Sequence, residues 1–188
     1  MPLGVQFERV LLAAKTGAEW AIAALYRELQ PKILRYLRTQ EPADGEDLAS
    51  EVWLDAATGL GRFDGDEQAF QRWIFTIARR RLIDLRRRRA RAADMVGALE
   101  FLVDRDAPDD PESALLAASE TEAALARIGC LSRDQAEVVL LRVVAGFDVK
   151  DVATIMGKTP GAVRVLQHRG LQQLAELFAR EKGQAVTR

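Results

Sequence analysis

The sequence predicts an all-α protein built from two small helical domains that are joined by a flexible acidic linker. Apolar residues recur about every three to four positions over most of the chain, which is the spacing of amphipathic helices. Capping residues, glycines and prolines divide these runs into short helices. In one stretch the large apolar residues become sparse, and Pro108 and Pro111 stand among acidic residues, which is typical of a linker. The expected boundaries are 1–93 for the first domain, 94–119 for the linker, 120–180 for the second domain and 181–188 for the tail.

The charges of the chain nearly cancel, with 27 lysines and arginines against 28 acidic residues, but they are unevenly distributed. Residues 72–91 are strongly basic, whereas 41–55 and 104–112 are acidic, which indicates separate surfaces for separate partners. A single cysteine excludes an internal disulfide framework and is typical of a reducing compartment. The N-terminus does not resemble a signal peptide, and no apolar stretch approaches ~20 residues. We therefore expect a cytoplasmic protein without membrane insertion.

The first domain is expected to begin with a helical run from Trp20 to Leu37 that contains one proline. Pro31 should kink this helix or start a second one, because proline removes a backbone hydrogen bond and clashes with the preceding turn. A turn follows, and Asp44 is expected to cap the next helix, from Gly45 to Leu60.

That second helix is expected to be buried along one side and acidic along the other. The acidic side carries Asp47, Glu51 and Asp55, and such a face is by default a solvated surface. The buried side carries Leu48, Val52 and Ala56. A glycine-containing loop from Gly61 to Glu67 then follows, in which Phe63 either closes over an unpaired base or anchors the loop to the core.

The following helix, FQRWIFTIARRRLIDLRRRRAR from Phe70 to Arg91, combines aromatic rings with a dense run of arginines. At ~100° per residue one side is apolar and the other forms a basic strip of Arg72, Thr76, Arg79, Arg86 and Arg87. Trp73 and Phe75 lie at the borders of this strip. Rings there could stack on unpaired bases while the arginines follow the backbone, which favours a nucleic-acid surface. The alternative is that both rings are half-buried core residues and the arginines are a solvated face.

Arg81 projects near the apolar side of this helix and does not fit the pattern. It is expected either to extend toward solvent along its aliphatic stem or to pair with an acidic residue.

The sequence predicts that the second domain is a series of short, capped helices. Ser132 and Gln135 form a capping box for a helix that is expected to end at Gly146. Asp148 is expected to cap the next helix, which Gly157 ends, and Thr159 with Pro160 starts the last one. Two helices joined by a short turn that contains glycine make a helix-turn-helix. The expected buried residues of the helix after Ser132 are Ala136, Val139, Leu140 and Val143.

The last helix is expected to face the core on one side and nucleic acid on the other. Its inward face is formed by Val163, Leu166, Gly170, Leu174 and Leu177, and Gly170 allows close packing against the helix before it. Its outward face is formed by Gly161, Arg164, Val165 and His168, flanked by Gln167 and Arg169. In a helix-turn-helix, such residues enter the major groove and read base edges. The alternative is a plain three-helix bundle. His168 is the single histidine, which argues against a histidine-rich metal site.

Two stretches resemble, in the same order, two conserved regions of one protein family. The first stretch consists of two segments, DGEDLASEVWLDAA from Asp44 to Ala57 and FQRWIFTIARRRLIDLRRRR from Phe70 to Arg89. It resembles region 2 of the sigma-70 family of RNA polymerase sigma factors. The segment from Leu131 to Leu174 resembles region 4. The two-domain organisation resembles the extracytoplasmic-function (ECF) group of that family. The resemblance implies an alternative sigma factor without catalytic residues, cofactor, metal or small-molecule substrate.

The resemblance also implies three binding surfaces. The clamp helices of the polymerase β′ subunit would be bound by Asp47, Leu48, Ser50, Glu51 and Leu54. The promoter minus-10 element would be recognised and melted by Arg62, Phe63, Asp64, Trp73, Phe75, Thr76, Arg79, Arg80, Arg86 and Arg87. The minus-35 element would be read as a duplex by Lys158, Thr159, Gly161, Arg164, Val165, Gln167, His168 and Arg169. Other parts of region 4 would hold the β flap, the linker would run toward the active-site and RNA-exit channel, and an anti-sigma factor is an implied partner.

Two other functions remain open on the sequence. A helix-turn-helix regulator that acts without polymerase would need a dimer interface or a sensor domain, and the aromatic and basic helix would have no role in it. An enzyme acting on nucleic acid would need a phosphate loop, a metal cluster or a nucleophile with its base, and the sequence shows none of these patterns. The sequence also leaves open whether the two domains are packed together or extended.

Overall fold

A computed structural model describes residues 4–97 and 120–185. Within these ranges the chain is helical and has no strand, which confirms the predicted all-α class. Most of the predicted linker lies outside the described residues, although its first residues continue the basic helix as far as Gly97. After a 3-10 turn at Gly4–Gln6, the helices are α1 (Phe7–Lys15), α2 (Glu19–Gln40), α3 (Gly45–Leu60), α4 (Glu67–Gly97), α5 (Glu120–Gly129), α6 (Arg133–Val139), α7 (Val149–Met156) and α8 (Pro160–Ala185).

Helices α1 to α4 form the first helical group around the central helix α2. The buried residues of α2 recur at helical spacing and include Leu29, Ile33 and Tyr36, of which the last two are fully buried. Of the two alternatives predicted at Pro31, the start of a second helix was wrong, because α2 continues through this residue as one helix. Pro31 lies on the exposed side, where water can replace the lost backbone bond. Burial of Leu29 and Ile33 on either side of it holds the helix together.

The start of α3 differs from the prediction in one respect. Asp44 stands at the N-cap position, but its side chain does not cap the helix. Its carboxylate instead accepts a hydrogen bond of 2.5 Å from Arg89 on α4. An ionic partner more than forty residues away therefore replaces the expected local cap.

Helices α5 to α8 form the second helical group, and their predicted caps are confirmed. Gln135 accepts from the backbone N–H of Ser132 at 3.2 Å, as in a capping box. Asp148 accepts from the backbone N–H of Asp151 at 2.8 Å, which begins α7. Gly157 ends α7 with a φ of 64°, a left-handed conformation that glycine adopts without strain. Thr159 accepts from the backbone N–H of Ala162, which begins α8.

Val143 was predicted to be buried and is 66% exposed. Helix α6 is followed by a π-helical turn, Leu140–Val144, which places an extra residue in the turn. The extra residue rotates the following side chains away from the positions that an α-helix would give them. Leu140 and Leu141 stay fully buried, and Val143 turns outward.

The inward face of α8 is confirmed, but the partner of Gly170 is not the helix that was predicted. A Cβ atom at Gly170 would lie 3.2 Å from Val139 and 3.4 Å from Gln135, both of which belong to α6. Gly170 therefore allows α8 to pack closely on α6 rather than on α7, the helix directly before it.

Candidate nucleic-acid interface

Two arginines of the basic strip are engaged by carboxylates of the second helical group. The Nε atom of Arg79 donates to Oε1 of Glu137 at 2.7 Å, and Nη1 of Arg72 donates to Oδ1 of Asp151 at 2.6 Å. Glu137 also accepts a hydrogen bond of 3.0 Å from the hydroxyl of Tyr36. Burial raises the pKa of Tyr36 well above its usual range, so its hydroxyl keeps the proton that it donates.

Phe75 does not stand at an exposed border of the basic strip. Its side chain is 1% exposed and packs between two rings, with centroid distances of 5.6 Å to Tyr36 and 5.1 Å to Phe147. The sequence placed Phe75 at the edge of the apolar side, and contact with the second helical group covers it completely. In this arrangement Phe75 is a core residue and cannot stack on a base.

The arginines farther along α4 are tied to α3 and to the end of α2. Arg81 is paired with Asp55 and Glu51, which confirms the ionic alternative for this residue. Hydrogen bonding from Arg81 lowers the pKa of Asp55 below its usual value. The Nε atom of Arg86 donates to Glu41 at 2.7 Å, so this member of the basic strip is also engaged.

Three aromatic rings join the start of α4 to the loop that precedes it. Phe63 lies 5.2 Å from Phe70 and 5.1 Å from Trp73, measured between ring centroids. Phe63 therefore anchors the loop to α4, as in the core alternative of the sequence analysis. Trp73 is half-buried, and its neighbours Thr76 and Arg80 are exposed, so this end of the strip remains accessible.

The absence of a side chain at Gly59 lets Trp73 lie close against α3. A Cβ atom at this position would lie 2.7 Å from Cζ2 and 3.3 Å from Cη2 of the indole ring. Because the ring is rigid, it would have to move to accept a methyl group. Gly59 thus sets the position of Trp73.

We expect Gly59→Ala to destabilise the protein by about 1–3 kcal/mol through this overlap. The same change should be neutral or stabilising in a Trp73→Phe background, because phenylalanine lacks the overlapping atoms and alanine favours a helix over glycine by about 0.5–1 kcal/mol. Urea unfolding of the wild type, both single variants and the double variant measures this difference. An equal effect of Gly59→Ala in the two backgrounds would show that the indole is not the obstacle.

The exposed side of α3 carries most of the residues predicted to bind polymerase. Asp47 and Ser50 are exposed, and Leu54 is 69% exposed. Glu51 is half-buried beside Arg81. Leu48 is 3% exposed and belongs to the core, so its assignment to a binding surface was wrong for this structure. The buried position agrees with the helical periodicity of α3.

The outward face of α8 is open to solvent. Gly161, Arg164, Val165, His168 and Arg169 are exposed, and Val165 is an apolar residue at 49% exposure. Two of the predicted residues are engaged within the domain. The Oε1 atom of Gln167 accepts from Nε of Arg142 at 3.3 Å, and Lys158 pairs with Asp134 at 2.9 Å. Thr159 is exposed and caps α8.

The second helical group contacts α4 through three residues that were not predicted from the sequence, Glu137, Asp151 and Phe147. Glu137 did carry a signal, because it is a single acidic residue inside the apolar run AEVVLL. A charge in such a run has to be paired if the run is buried. Asp151 and Phe147 carry no comparable signal, since the first turn of a helix and the preceding loop commonly contain these residue types.

Among the described residues, no group of three or more His, Cys, Asp and Glu side chains is placed to hold a metal ion. No helix in the described ranges is long and apolar enough to cross a membrane.

Family models match most of both helical groups. The model described as Sigma-70 region 2 matches residues 25–92, and the one described as Sigma-70, region 4 matches residues 121–174. The first match covers α3, the loop and the basic part of α4, and the second covers the helix-turn-helix.

Two curated relatives and one solved structure are similar to the chain. The ECF RNA polymerase sigma factor ShbA of Streptomyces griseus is 32% identical over 87% of the chain and 91% of its own length. The ECF RNA polymerase sigma factor BldN of Streptomyces coelicolor is 33% identical over 88% of the chain, which spans only 63% of that relative. The fold resembles RpoE of Bartonella quintana, solved with the anti-sigma factor NepR, with a TM-score of 0.63 and 22% identity over 83% of the chain and 97% of RpoE.

Proposed function

Because the chain belongs to the ECF group of the sigma-70 family of RNA polymerase sigma factors, we propose that it binds RNA polymerase core and directs it to specific promoters. Residues 1–93 form the domain that binds core and the minus-10 element, and residues 120–180 form the domain that binds the minus-35 element. The protein acts in the cytoplasm, where bacterial polymerase and promoter DNA are found. It assists initiation by binding and has no catalytic residues of its own.

The observation that carries this proposal is the open outward face of α8 in a capped helix-turn-helix. Arg164, Val165, His168 and Arg169 all project from one side of the helix and are exposed together. Arginine reads guanine through two hydrogen bonds, and an apolar side chain such as that of Val165 suits a thymine methyl group. Gln167 can bind a base edge when its hydrogen bond with Arg142 is replaced by one to the base. Gly161 and Thr159 lie at the start of the helix, which faces the phosphates.

The two other surfaces follow from the accessible residues of α3 and α4. On α3 the exposed Leu54 has a polar and acidic rim, which is formed by Asp47, Ser50 and Glu51. This surface suits a basic and apolar helical partner such as the clamp helices. The residues proposed for the minus-10 element are Arg62, Phe63, Asp64, Trp73, Phe75, Thr76, Arg79, Arg80, Arg86 and Arg87, of which Phe75 would be reached only after Phe147 moves away from it. The accessible members around Trp73 meet the first unpaired base, and the arginines follow the strand.

Region 4 also holds the β flap, and an anti-sigma factor is a proposed protein partner. The support for the latter is that RpoE, which shares the fold, was solved with such a factor.

The test is to mix the purified protein with sigma-free polymerase core and genomic promoter fragments, and to sequence the transcripts. Discrete start sites that require both components establish the proposed function and reveal both promoter elements. If no transcript forms and the protein also fails to co-elute with core on gel filtration, the polymerase-independent regulator is favoured instead.

Arg164→Ala should weaken binding to the mapped minus-35 duplex by about 5-fold to 150-fold, because one two-bonded arginine–guanine contact contributes about 1–3 kcal/mol. Fluorescence anisotropy with that duplex measures the loss. The matched control is Arg133→Ala, since Arg133 is also exposed but stands at the start of α6. Equal losses for the two variants would mean that Arg164 contributes only its charge.

A further inference from the structure

Arg142 connects the π-helical turn after α6 to the outward side of α8. It is half-buried in this turn, between the fully buried Leu141 and the exposed Val143. Its Nη1 atom donates to the backbone carbonyl of Phe147, and its Nε atom donates to Oε1 of Gln167 at 3.3 Å. The first bond fixes the guanidinium group against the loop before α7. The second bond therefore reaches a minus-35 candidate from a group that is already held in place.

The bond from Arg142 decides which end of the Gln167 amide is free. A guanidinium group carries N–H donors and has no acceptor, so only the carbonyl oxygen of glutamine can face it. The amide nitrogen Nε2 lies on the other side, and no residue in the described parts of the chain takes a hydrogen bond from it. Accepting a bond from a charged donor also polarises the amide and strengthens its N–H groups as donors.

Gln167 is placed where its free end can reach a base. It stands three residues after Arg164 on α8, so the two side chains are neighbours on the helix surface. Arg164 and His168 are exposed, whereas Gln167 is half-buried. Half burial is what we expect of a side chain that the domain holds at one end and leaves open at the other.

We propose that Arg142 is a positioning residue that makes α8 prefer guanine to adenine at the base pair that Gln167 meets. The proposal rests on the proposed function, because it takes Gln167 to be a minus-35 residue. It adds the base that this glutamine selects, and it adds a residue outside α8 that determines the selection.

The preference follows from the groups that the two purines present in the major groove. Guanine presents two acceptors, N7 and O6, whereas adenine presents the acceptor N7 beside the donor N6. Nε2 of Gln167 can donate to guanine while Oε1 stays with Arg142. The usual pairing of glutamine with adenine uses both amide atoms, since Oε1 accepts from N6 while Nε2 donates to N7. Oε1 must then leave Arg142, and a bond from a charged donor is exchanged for a weaker one from a neutral amino group.

The test is a selection from a pool of DNA duplexes with a randomised minus-35 element, using the full-length protein without polymerase. Sequencing of the bound fraction gives the base preference at each position. The position whose preference is lost in Gln167→Leu is the one that Gln167 reads. Arg142→Met removes the N–H donors and keeps an unbranched stem. Arg133→Met is the matched control, because Arg133 is also exposed to solvent but stands at the start of α6.

At the Gln167 position the wild type should prefer guanine to adenine by about 5-fold or more, and Arg142→Met should lower this ratio by about 5-fold, because Oε1 becomes free to accept from adenine. All other positions should keep their preferences in Arg142→Met, which a general loss of structure would not allow. Arg133→Met should weaken binding to all sequences alike. In the Gln167→Leu background, Arg142→Met should change no preference further, because the side chain through which it acts is gone.

Gln167→Glu keeps the proposal falsifiable if Arg142→Met does not fold. Its carboxylate still accepts from Arg142 but has no N–H group, so the preference for guanine should give way to one for cytosine, which presents a donor. The proposal is overturned by a wild-type preference for adenine, by no position that responds to Gln167→Leu, by an unchanged ratio in Arg142→Met, or by guanine preference in Gln167→Glu. A wild type that selects no sequence overturns the minus-35 assignment as well, whereas the transcription experiment decides the polymerase function separately.

Discussion

Trp73→Ala should reduce open-complex formation by about 5-fold to 150-fold, while the affinity for polymerase core stays close to that of the wild type. Stacking of one base on an aromatic side chain contributes about 1–3 kcal/mol, and Trp73 is the largest ring beside the accessible end of the basic strip. Core binding should be spared because Asp47, Ser50 and Leu54 project from the exposed side of α3. Permanganate reactivity of unpaired thymines on a mapped promoter measures opening, and gel filtration with core measures binding.

The controls separate the loss of stacking from the loss of packing. Trp73 also contacts Phe63 and Phe70, so Trp73→Ala removes ring contacts at 5.1 Å and 5.6 Å. Trp73→Phe keeps an aromatic ring and should retain most of the opening activity. Trp20→Ala removes an indole that is 52% exposed at the start of α2 and should leave opening unchanged. Normal opening by Trp73→Ala, or equal defects in Trp73→Ala and Trp20→Ala, would contradict the assignment of Trp73 to the minus-10 surface.

Gly45→Ala should destabilise the first helical group by about 1–3 kcal/mol or more. A Cβ atom at Gly45 would lie 2.6 Å from Cγ of Arg38 and 2.8 Å from its Cα, so it would meet the backbone of α2. Backbone atoms cannot move aside as a flexible side chain can, and α3 would have to shift away from α2. The thermal midpoint should fall by roughly 2–4 °C for each kcal/mol lost in a protein of this size.

Gly61→Ala is the matched control for this prediction. A Cβ atom at Gly61 would meet nothing within 4 Å, and its φ of −59° is accessible to alanine. The change should be neutral or should stabilise the protein by about 0.4–1 kcal/mol through the unfolded state. Differential scanning calorimetry of the two variants measures the contrast. Midpoints that agree for the two variants would show that the close approach of α2 and α3 does not depend on glycine at position 45.

Much of the fold and part of the site could be predicted from residues that are close in sequence. The caps at Ser132, Asp148 and Thr159 were predictable because each one joins a side chain to a backbone N–H group three residues away. The inward residues of α8 were predictable because helical periodicity places them on one side. The exposure of Arg164, Val165 and His168 followed from the same periodicity, since the residues opposite a buried stripe face solvent.

The errors arose where packing in the folded protein or an unmarked change of helix register overrode a local preference. Asp44 bonds Arg89 instead of capping α3, and α2 continues through Pro31 because buried neighbours hold it. Val143 is exposed because a π-helical turn changes the register after Val139, and no residue type in that stretch marks such a turn. Phe75 is buried because Phe147, from the second helical group, covers it.

The sequence by itself determined the all-α class, the caps of α6 to α8 and the two stretches by which the family is recognised, because these depend on neighbouring residues and on helical spacing. Only the tertiary structure decided which charges of α4 are free. Arg72 and Arg79 meet their carboxylates across 79 and 58 residues of chain. A charged residue looks the same in sequence whether it is solvated or paired, and only the docking of one helical group on the other removes the water that distinguishes the two.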